Sequence, residues 1–197
     1  QVDEARRAHT PALLITVDSI GGQTGAAHWV EPVAWNAAAA STGAAPAVMT
    51  SILSDVFDAE APPDALARLW NLIRDTPHLR WHLLTKRPEN IAARLPAFWP
   101  LANVWLGVSV EDQRRANERL RDLLALPVEG RRFWMNAWPL LERVEIAPPL
   151  LERMRLVSIG PEDVGPVPPD SRTWALELAD AAHAAGAVVH HSLERGV

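Results

Sequence analysis

Short apolar runs alternate with helical or proline-rich segments along most of this chain. From residue 46 onward the runs are AVMTSIL, RWHLLTK, NVWLGVSV, RRFWMNA, RLVSIG and AVVHHSL, and the earlier run ALLITV is a further candidate strand. Continuous apolar runs of this length, separated by helices, are typical of parallel strands that are buried on both faces. The pattern therefore predicts βαβ units and a mostly parallel sheet.

Three segments between the runs have the periodicity or the end signals of helices. Four apolar residues of PPDALARLWNLIRDTP fall on one helical face: Leu66, Leu69, Trp70 and Ile73. In EDQRRANERLRDLLALP the inward positions are Leu120, Leu123 and Leu124. Pro77 ends the first of these helices. A last helix is expected from about Asp170 or Ser171 to Ala185, with Gly186 as its left-handed C-cap.

The stretch from residue 32 to residue 54 carries no charge, but Pro46 and several polar residues interrupt it too often for a membrane span. We expect a helix, a turn and a buried strand there. The opening QVDEARRAHT is charged and polar, unlike a signal peptide. The length of 197 residues, 48% of them hydrophobic, is typical of one globular domain. We expect a single α/β domain over 1–197, with 1–27 as a divergent amino-terminal segment, in the cytoplasm and away from membranes.

Charge and cysteine content narrow the chemistry. The net charge of −5 and the pI near 5.8 disfavour nucleic acid as a partner. The chain has no cysteine, which excludes disulfides, thiolate metal sites and cysteine nucleophiles within it. One local basic stretch contains Arg114, Arg115, Arg119 and Arg121. Acidic residues three or four positions away predict that it is a solvated, ion-paired helix face.

Polar residues follow each apolar run, at the carboxyl ends of the predicted strands, where βα folds bind their ligands. The candidate ligand-binding residues are Ser51, Ser54, Asp55, Thr85, Lys86, Arg87, Ser109, Glu111, Asn136 and Glu162. Such a mixture suits a small anionic or nucleotide-like ligand. Lys86 and Arg87 supply positive charge. Asp55 and Glu111 can accept hydrogen bonds from ribose hydroxyls or an amine.

Each of these candidates also has a structural interpretation. Residues 85–88 are equally well explained as a strand end that leads into a helix begun by Pro88. Asp55 would cap the turn before Phe57. Glu111 would be a helix-terminal charge that the macrodipole favours.

The sequence offers no convincing metal or phosphate motif. His190 and His191 are neighbours on a predicted strand, so their side chains point to opposite faces and cannot easily bind one ion. The segment GGQTG lacks the Lys-Ser/Thr of a P-loop, and G-x-S-x-G is absent. We therefore expect no metal site.

Three segments in a fixed order, SDVFDAEAP, LLTKRP and VWLGVSVEDQ, resemble a phage- and bacteria-associated radical S-adenosylmethionine-like family of unassigned function. The resemblance extends over roughly residues 28 to 160. It implies a partial (β/α) barrel of about six or seven mostly parallel strands. The alternation of strands and helices described above agrees with this fold.

The motifs that would carry the chemistry of that family differ here. The family typically has a three-cysteine motif whose thiolates hold a 4Fe–4S cluster, but the corresponding region, around ALLITVDSIGGQTGAAHW, has none. The family's Ser-Cys-Glu-Pro strand end is replaced by Asn136, Ala137, Trp138 and Pro139. Its Gly-Gly-Glu-Ser-Gly and Lys-Gln-Trp-Gly motifs are replaced by sequences that begin at Gly160 and His191. We expect no iron–sulfur cluster and no reductive cleavage of S-adenosylmethionine by this chain.

The resemblance and these departures together predict a pseudoenzyme, that is, a non-radical binding, scaffolding or regulatory protein. No cofactor is expected, although S-adenosylmethionine or a nucleotide could occupy the pocket, and a protein partner or a second copy of the chain could bind it. One alternative is an enzyme with redox-neutral acid–base chemistry, for which the candidate catalytic residues are Asp55, Lys86, Glu111 and His191. The other alternative is a component of phage-linked nucleic-acid modification.

Overall fold

The computed structural model describes residues 13–14, 27–50, 55–160 and 168–191. Within them the strands are β1 (Leu13–Leu14), β2 (Ala47–Thr50), β3 (Arg80–Thr85), β4 (Val104–Ser109), β5 (Phe133–Ala137), β6 (Met154–Ile159) and β7 (Val188–His191). The α-helices are α1 (Ala27–Thr42), α2 (Pro63–Asp75), α3 (Ile91–Arg94), α4 (Gln113–Leu124), α5 (Pro148–Leu151) and α6 (Ser171–Ala184), and a 3₁₀ helix covers Pro88–Asn90.

The chain divides into two compact units, one of residues 1–84 and 94–105 and the other of residues 85–93 and 106–197. In the first unit β1 pairs with β2, and β2 with β3. In the second unit β4, from Leu106 onward, pairs with β5, β5 with β6, and β6 with β7. All of these pairings are parallel, which confirms the predicted α/β class. The assignment of residues 1–197 to a single domain stays a prediction.

Helix α2 is buried along one face in the first unit, and a hydrogen bond joins its carboxyl end to β3. It begins at Pro63, and its apolar stripe is buried as predicted: Leu66, Leu69, Trp70 and Ile73. The Thr76 hydroxyl at its end donates to Leu72 O and accepts a 3.0 Å hydrogen bond from Trp81 Nε1 of β3. The fully buried Trp81 ring thereby ties the strand to the end of the helix.

The helices of the second unit also follow their sequence signals. In α4 the predicted inward residues are buried: Leu120, Leu123 and Leu124. Helix α6 ends just before Gly186, whose φ of +74° is the left-handed conformation expected at its C-cap.

Strands β4 and β5 meet closely at one point of the second unit. Gly107 lies opposite Trp134 in the register, and a Cβ atom built on Gly107 would lie 2.3 Å from the Trp134 ring. That distance is far inside van der Waals contact, so the position accepts only glycine while the indole stays in place. Trp134 is fully buried and therefore lines no open pocket, whereas Trp138 is 41% exposed.

The uncharged stretch near the amino terminus forms the predicted helix, turn and strand. Helix α1 runs through Pro32, Gly43 turns the chain with a φ of +69°, and β2 follows as far as Thr50. Residues 51–54 lie outside the described part of the chain. Among the residues that the structure describes, no helix is both long enough and apolar enough to cross a membrane.

Candidate functional site

The structure describes most of the predicted site residues. Ser51, Ser54 and Glu162 lie outside the described residues, as does the side chain of His191. Asp55 belongs to the first unit, where its Oδ1 accepts a 3.0 Å hydrogen bond from Phe57 N, as expected of a turn cap. The remaining candidates lie in the second unit: Thr85, Lys86, Arg87, Ser109, Glu111 and Asn136.

Residues 85–88 form the strand end and helix start that the structural interpretation predicts. Thr85 is buried, and its Oγ1 accepts a 2.9 Å hydrogen bond from Arg87 N. Pro88 then begins the 3₁₀ helix. This local turn places Lys86 at the surface of the second unit with its ammonium group directed toward Glu111.

Glu111 is the centre of a charge cluster in the second unit. Its side chain is only 7% exposed, and Lys86 Nζ lies 3.0 Å from its Oε1. On the other oxygen, Arg119 Nη1 lies 2.6 Å and Arg115 Nε 3.6 Å from Oε2. Three cations therefore surround one nearly buried carboxylate, which compensates the cost of taking that charge out of water.

The geometry of α4 explains why these arginines reach Glu111. Arg115 and Arg119 are four positions apart and lie on one stripe of α4, and Glu111 directly precedes the N-cap of that helix. Arg119 Nη1 also donates to Ser109 O at 2.8 Å. The sequence interpretation assigned Arg115 and Arg119 to a solvated face and missed this role. The signal that could have found it was the four-residue spacing of Arg115 and Arg119 together with an acidic residue just before the helix.

Asp112 is the N-cap of α4. Its Oδ1 accepts a 2.7 Å hydrogen bond from Arg115 N, and its Oδ2 pairs with the guanidinium of Arg115. Burial works to raise the pKa of Asp112, but the hydrogen bonds from Arg115 and the positive charges of Arg115 and Arg114 outweigh it and hold the pKa below its usual value. Asp112 thus stays ionised and orients Arg115.

An open groove of about 480 Å³ lies between α4 and the segment that contains Lys86. Charged side chains alone line it: Lys86, Glu89, Arg114, Arg115, Glu118, Arg119, Arg121 and Asp122. At its outer side Arg114 pairs with Glu118 at 3.0 Å, and Arg121 with Asp122 at 2.8 Å. The pair of Arg114 with Glu118 confirms the predicted ion pairing at a spacing of four, whereas Arg121 pairs with its sequence neighbour Asp122.

A row of polar residues crosses one face of the sheet in the second unit. Ser109 pairs in register with Asn136, Asn136 with Ser158, and Ser158 with His190. Directly paired residues of parallel strands point to the same face, so these four side chains form one line. We call them the polar row. Ser158 was missed because it lies inside an apolar run, although polar residues in the last two positions of β4 to β7 mark all four.

The two faces of this sheet differ in how they are covered. On the face opposite the polar row, Val108, Met135 and Val157 are fully buried. On the face of the polar row, Val188 is 54% exposed, His190 is exposed, Asn136 and Ser158 are half-buried, and Ser109 is buried. The polar row is therefore accessible from Asn136 to His190, beside the exposed Val188, and is buried at Ser109.

The described ranges 27–50, 55–160 and 168–191 bring no three His, Asp or Glu side chains together in a way that could hold a metal ion. Lys86 and Glu111 are within mutual reach at 3.0 Å, but two further cations also approach Glu111. The roles of Asp55, Lys86, Glu111 and His191 in acid–base catalysis stay a prediction.

Comparison with known proteins gives the family of the chain. Neither a curated protein nor a solved structure matches it. The sequence pattern of one family, described as a protein of unknown function (DUF5131), matches residues 4–192. Because this match spans nearly the whole sequence, the chain belongs to the DUF5131 family.

Proposed function

We propose that this protein is a radical S-adenosylmethionine-like scaffold that works without radical chemistry, as a binding or regulatory protein for a small nucleoside-like molecule. The polar row is the observation that carries this proposal. It places hydroxyl, amide and imidazole groups in one line beside the exposed Val188. A protein partner or a second copy of the chain would respond to the bound ligand.

The chemistry of the polar row suits the edge of a heterocycle. Adjacent strands are about 4.8 Å apart, so neighbouring polar groups can each contact a different atom of one flat molecule. The Asn136 amide offers both donors and an acceptor, and its Nδ2 donates to Trp138 O at 3.4 Å. Leu156 and Val188 lie two positions before Ser158 and His190 on the same face of the sheet, and they give an apolar surface for the ring of the ligand.

Cysteine content supports the non-radical part of the proposal. A 4Fe–4S cluster of the radical type is held by thiolates, and these 197 residues contain none. The residues present therefore do not fit the cluster that the resemblance implies. The partial-barrel form and the likeness to a phage- and bacteria-associated family belong to this proposal. The parallel strand pairings support the partial barrel, and the order of the motifs supports the likeness.

Calorimetric titration of the full chain with S-adenosylmethionine, S-adenosylhomocysteine and adenosine tests the proposal. We expect measurable binding of at least one of them, and an affinity about tenfold lower in Asn136→Ala, because a hydrogen bond to the ligand is lost. Asn117→Ala is the matched control, since Asn117 is exposed on α4 and bonds only to Gln113 in the described structure. Absence of heat with all three ligands, or equal weakening in both variants, contradicts the proposal.

A further inference from the structure

We infer that the groove beside α4 is a second binding site, which takes a tetrahedral oxyanion such as a phosphate group through Lys86, Arg115 and Arg119. The three cations of this site are distinct from the side chains of the polar row, although Arg119 also donates to the backbone carbonyl of Ser109. The lining of the groove, the donors left on the arginines and the fixed positions of the cations each support it.

The lining carries a surplus of positive charge. Five of its side chains are cationic and three are anionic. Arg114 and Arg121 each form an ion pair with an acidic residue on the same helix, so their charges are largely neutralised at the outer side of the groove. The rest of the lining has three cations, Lys86, Arg115 and Arg119, and one carboxylate, Glu89. The carboxylates of Glu111 and Asp112 pair with these cations but do not line the groove. An anion in the groove therefore meets the ammonium and guanidinium groups first.

The arginines retain donors that an oxyanion can use. A guanidinium has five N–H groups. In the described structure Arg115 directs Nε and Nη1 to Glu111 and Asp112, and Arg119 directs Nη1 to Ser109 O and Glu111. Within these described contacts, Nη2 of both arginines and Nε of Arg119 are left for a ligand. Planar forks of this kind match the oxygen spacing of phosphate.

The cluster around Glu111 also holds the cations in place before a ligand arrives. Arg119 is only 15% exposed and is fixed by two acceptors. Backbone contact of Glu111 O with Leu141 N, at 2.9 Å, fixes the central residue. Side chains that are already ordered lose less entropy on binding, which favours affinity.

The same contacts would exist if the cluster served only to attach α4 to the end of β4. The two interpretations differ in what an anion does. A purely structural cluster responds to phosphate only as it responds to any salt of the same ionic strength. A binding site gives a response that saturates as the phosphate concentration rises.

A titration with inorganic phosphate, followed by ³¹P NMR and by calorimetry at an ionic strength held constant with chloride, tests the site in the full chain. We expect saturable binding that is about tenfold weaker in Lys86→Gln and in Arg115→Gln, because each variant removes a charged hydrogen bond. Arg114→Gln is the matched control, since Arg114 lines the same groove but pairs outward with Glu118. Its phosphate affinity should change less than about twofold.

Failure to saturate, or equal weakening in Arg114→Gln, overturns the inference. If Arg115→Gln does not fold, Lys86→Gln still decides, because its side chain is 59% exposed. Asn136→Ala should keep its phosphate affinity, so the failure of this site and the failure of the nucleoside site can be told apart.

Discussion

His82 of β3 holds an imidazole inside the first unit, where a charge cannot be hydrated. The residue is 5% exposed, and its ring stacks on Trp105 with 4.8 Å between centroids. Burial, and then the positive charge of Arg80, lower the pKa of His82 to about 3. The side chain is therefore neutral throughout the physiological range, and it acts as a packing group.

Stability should consequently fall in mild acid. Below about pH 6.5 the unfolded chain binds a proton on His82 that the folded chain refuses, so the free energy of unfolding decreases from pH 6.5 down to about pH 3. Between pH 7 and pH 5 we expect a loss of about 2 kcal/mol from this residue, measured by urea denaturation.

Two variants distinguish the contribution of His82 to this pH dependence from that of the other groups that titrate in this range. His82→Phe keeps an aromatic ring against Trp105 and should lose most of the acid dependence. His78→Phe, at an exposed position of the same unit, should keep it. An unchanged dependence in His82→Phe would show that other residues cause the acid effect.

At the scale of elements, the start of α4 shows how a helix end is fixed from two directions. Asp112 accepts from Arg115 N within the helix, and Glu142 Oε1 accepts from Gln113 N at 2.8 Å. The Gln113 side chain in turn bonds to the backbone N and O of Glu145. Helix α4, which supplies Arg115 and Arg119, is thereby attached to the segment around residues 142–145.

Removal of the cap should cost a measurable part of the stability. We expect Asp112→Ala to lower the free energy of unfolding by about 1 kcal/mol, because a backbone N–H loses its acceptor. Asp170→Ala is the matched control, since Asp170 precedes α6 but makes no side-chain cap bond. Equal losses in the two variants, measured in urea, would show that the cap bond of Asp112 does not matter.

Helices and strands were predictable from the sequence because their signals are local. The burial of Leu69 and the left-handed conformation of Gly186 follow from neighbours within one or two turns. Strand register is different, because it depends on residues far apart in the sequence. The alignment of Asn136 with Ser158 could not be derived from either run alone.

At the scale of the whole molecule, the residues that were predicted to form one site fall into separate groups. Lys86 and Glu111 come together as one cluster, while Ser109 and Asn136 join a row completed by Ser158 and His190. The sequence indicates that polar residues at strand ends are candidate site residues. It does not show which of their side chains lie on the same face of the sheet. Long-range pairings such as Arg119 with the Ser109 carbonyl became visible only in the structure.

The composition of the entire chain makes one prediction about chemistry. Anaerobic reconstitution of this chain with iron and sulfide, followed by dithionite and S-adenosylmethionine, should give neither a brown protein nor 5′-deoxyadenosine, since no thiolate is present to hold the cluster. Absorption spectra and chromatography of the products check this. A formed cluster together with 5′-deoxyadenosine would refute the non-radical assignment.

The contact of Gly107 with Trp134 has a consequence for redesign of the second unit. The glycine leaves room for the indole, and the indole forbids any larger residue at position 107. Truncation of Trp134 would leave a dry cavity with the shape of an indole, of the kind that small aromatic molecules refill. The two positions thus form one steric pair, in which free indole is the natural candidate for chemical rescue.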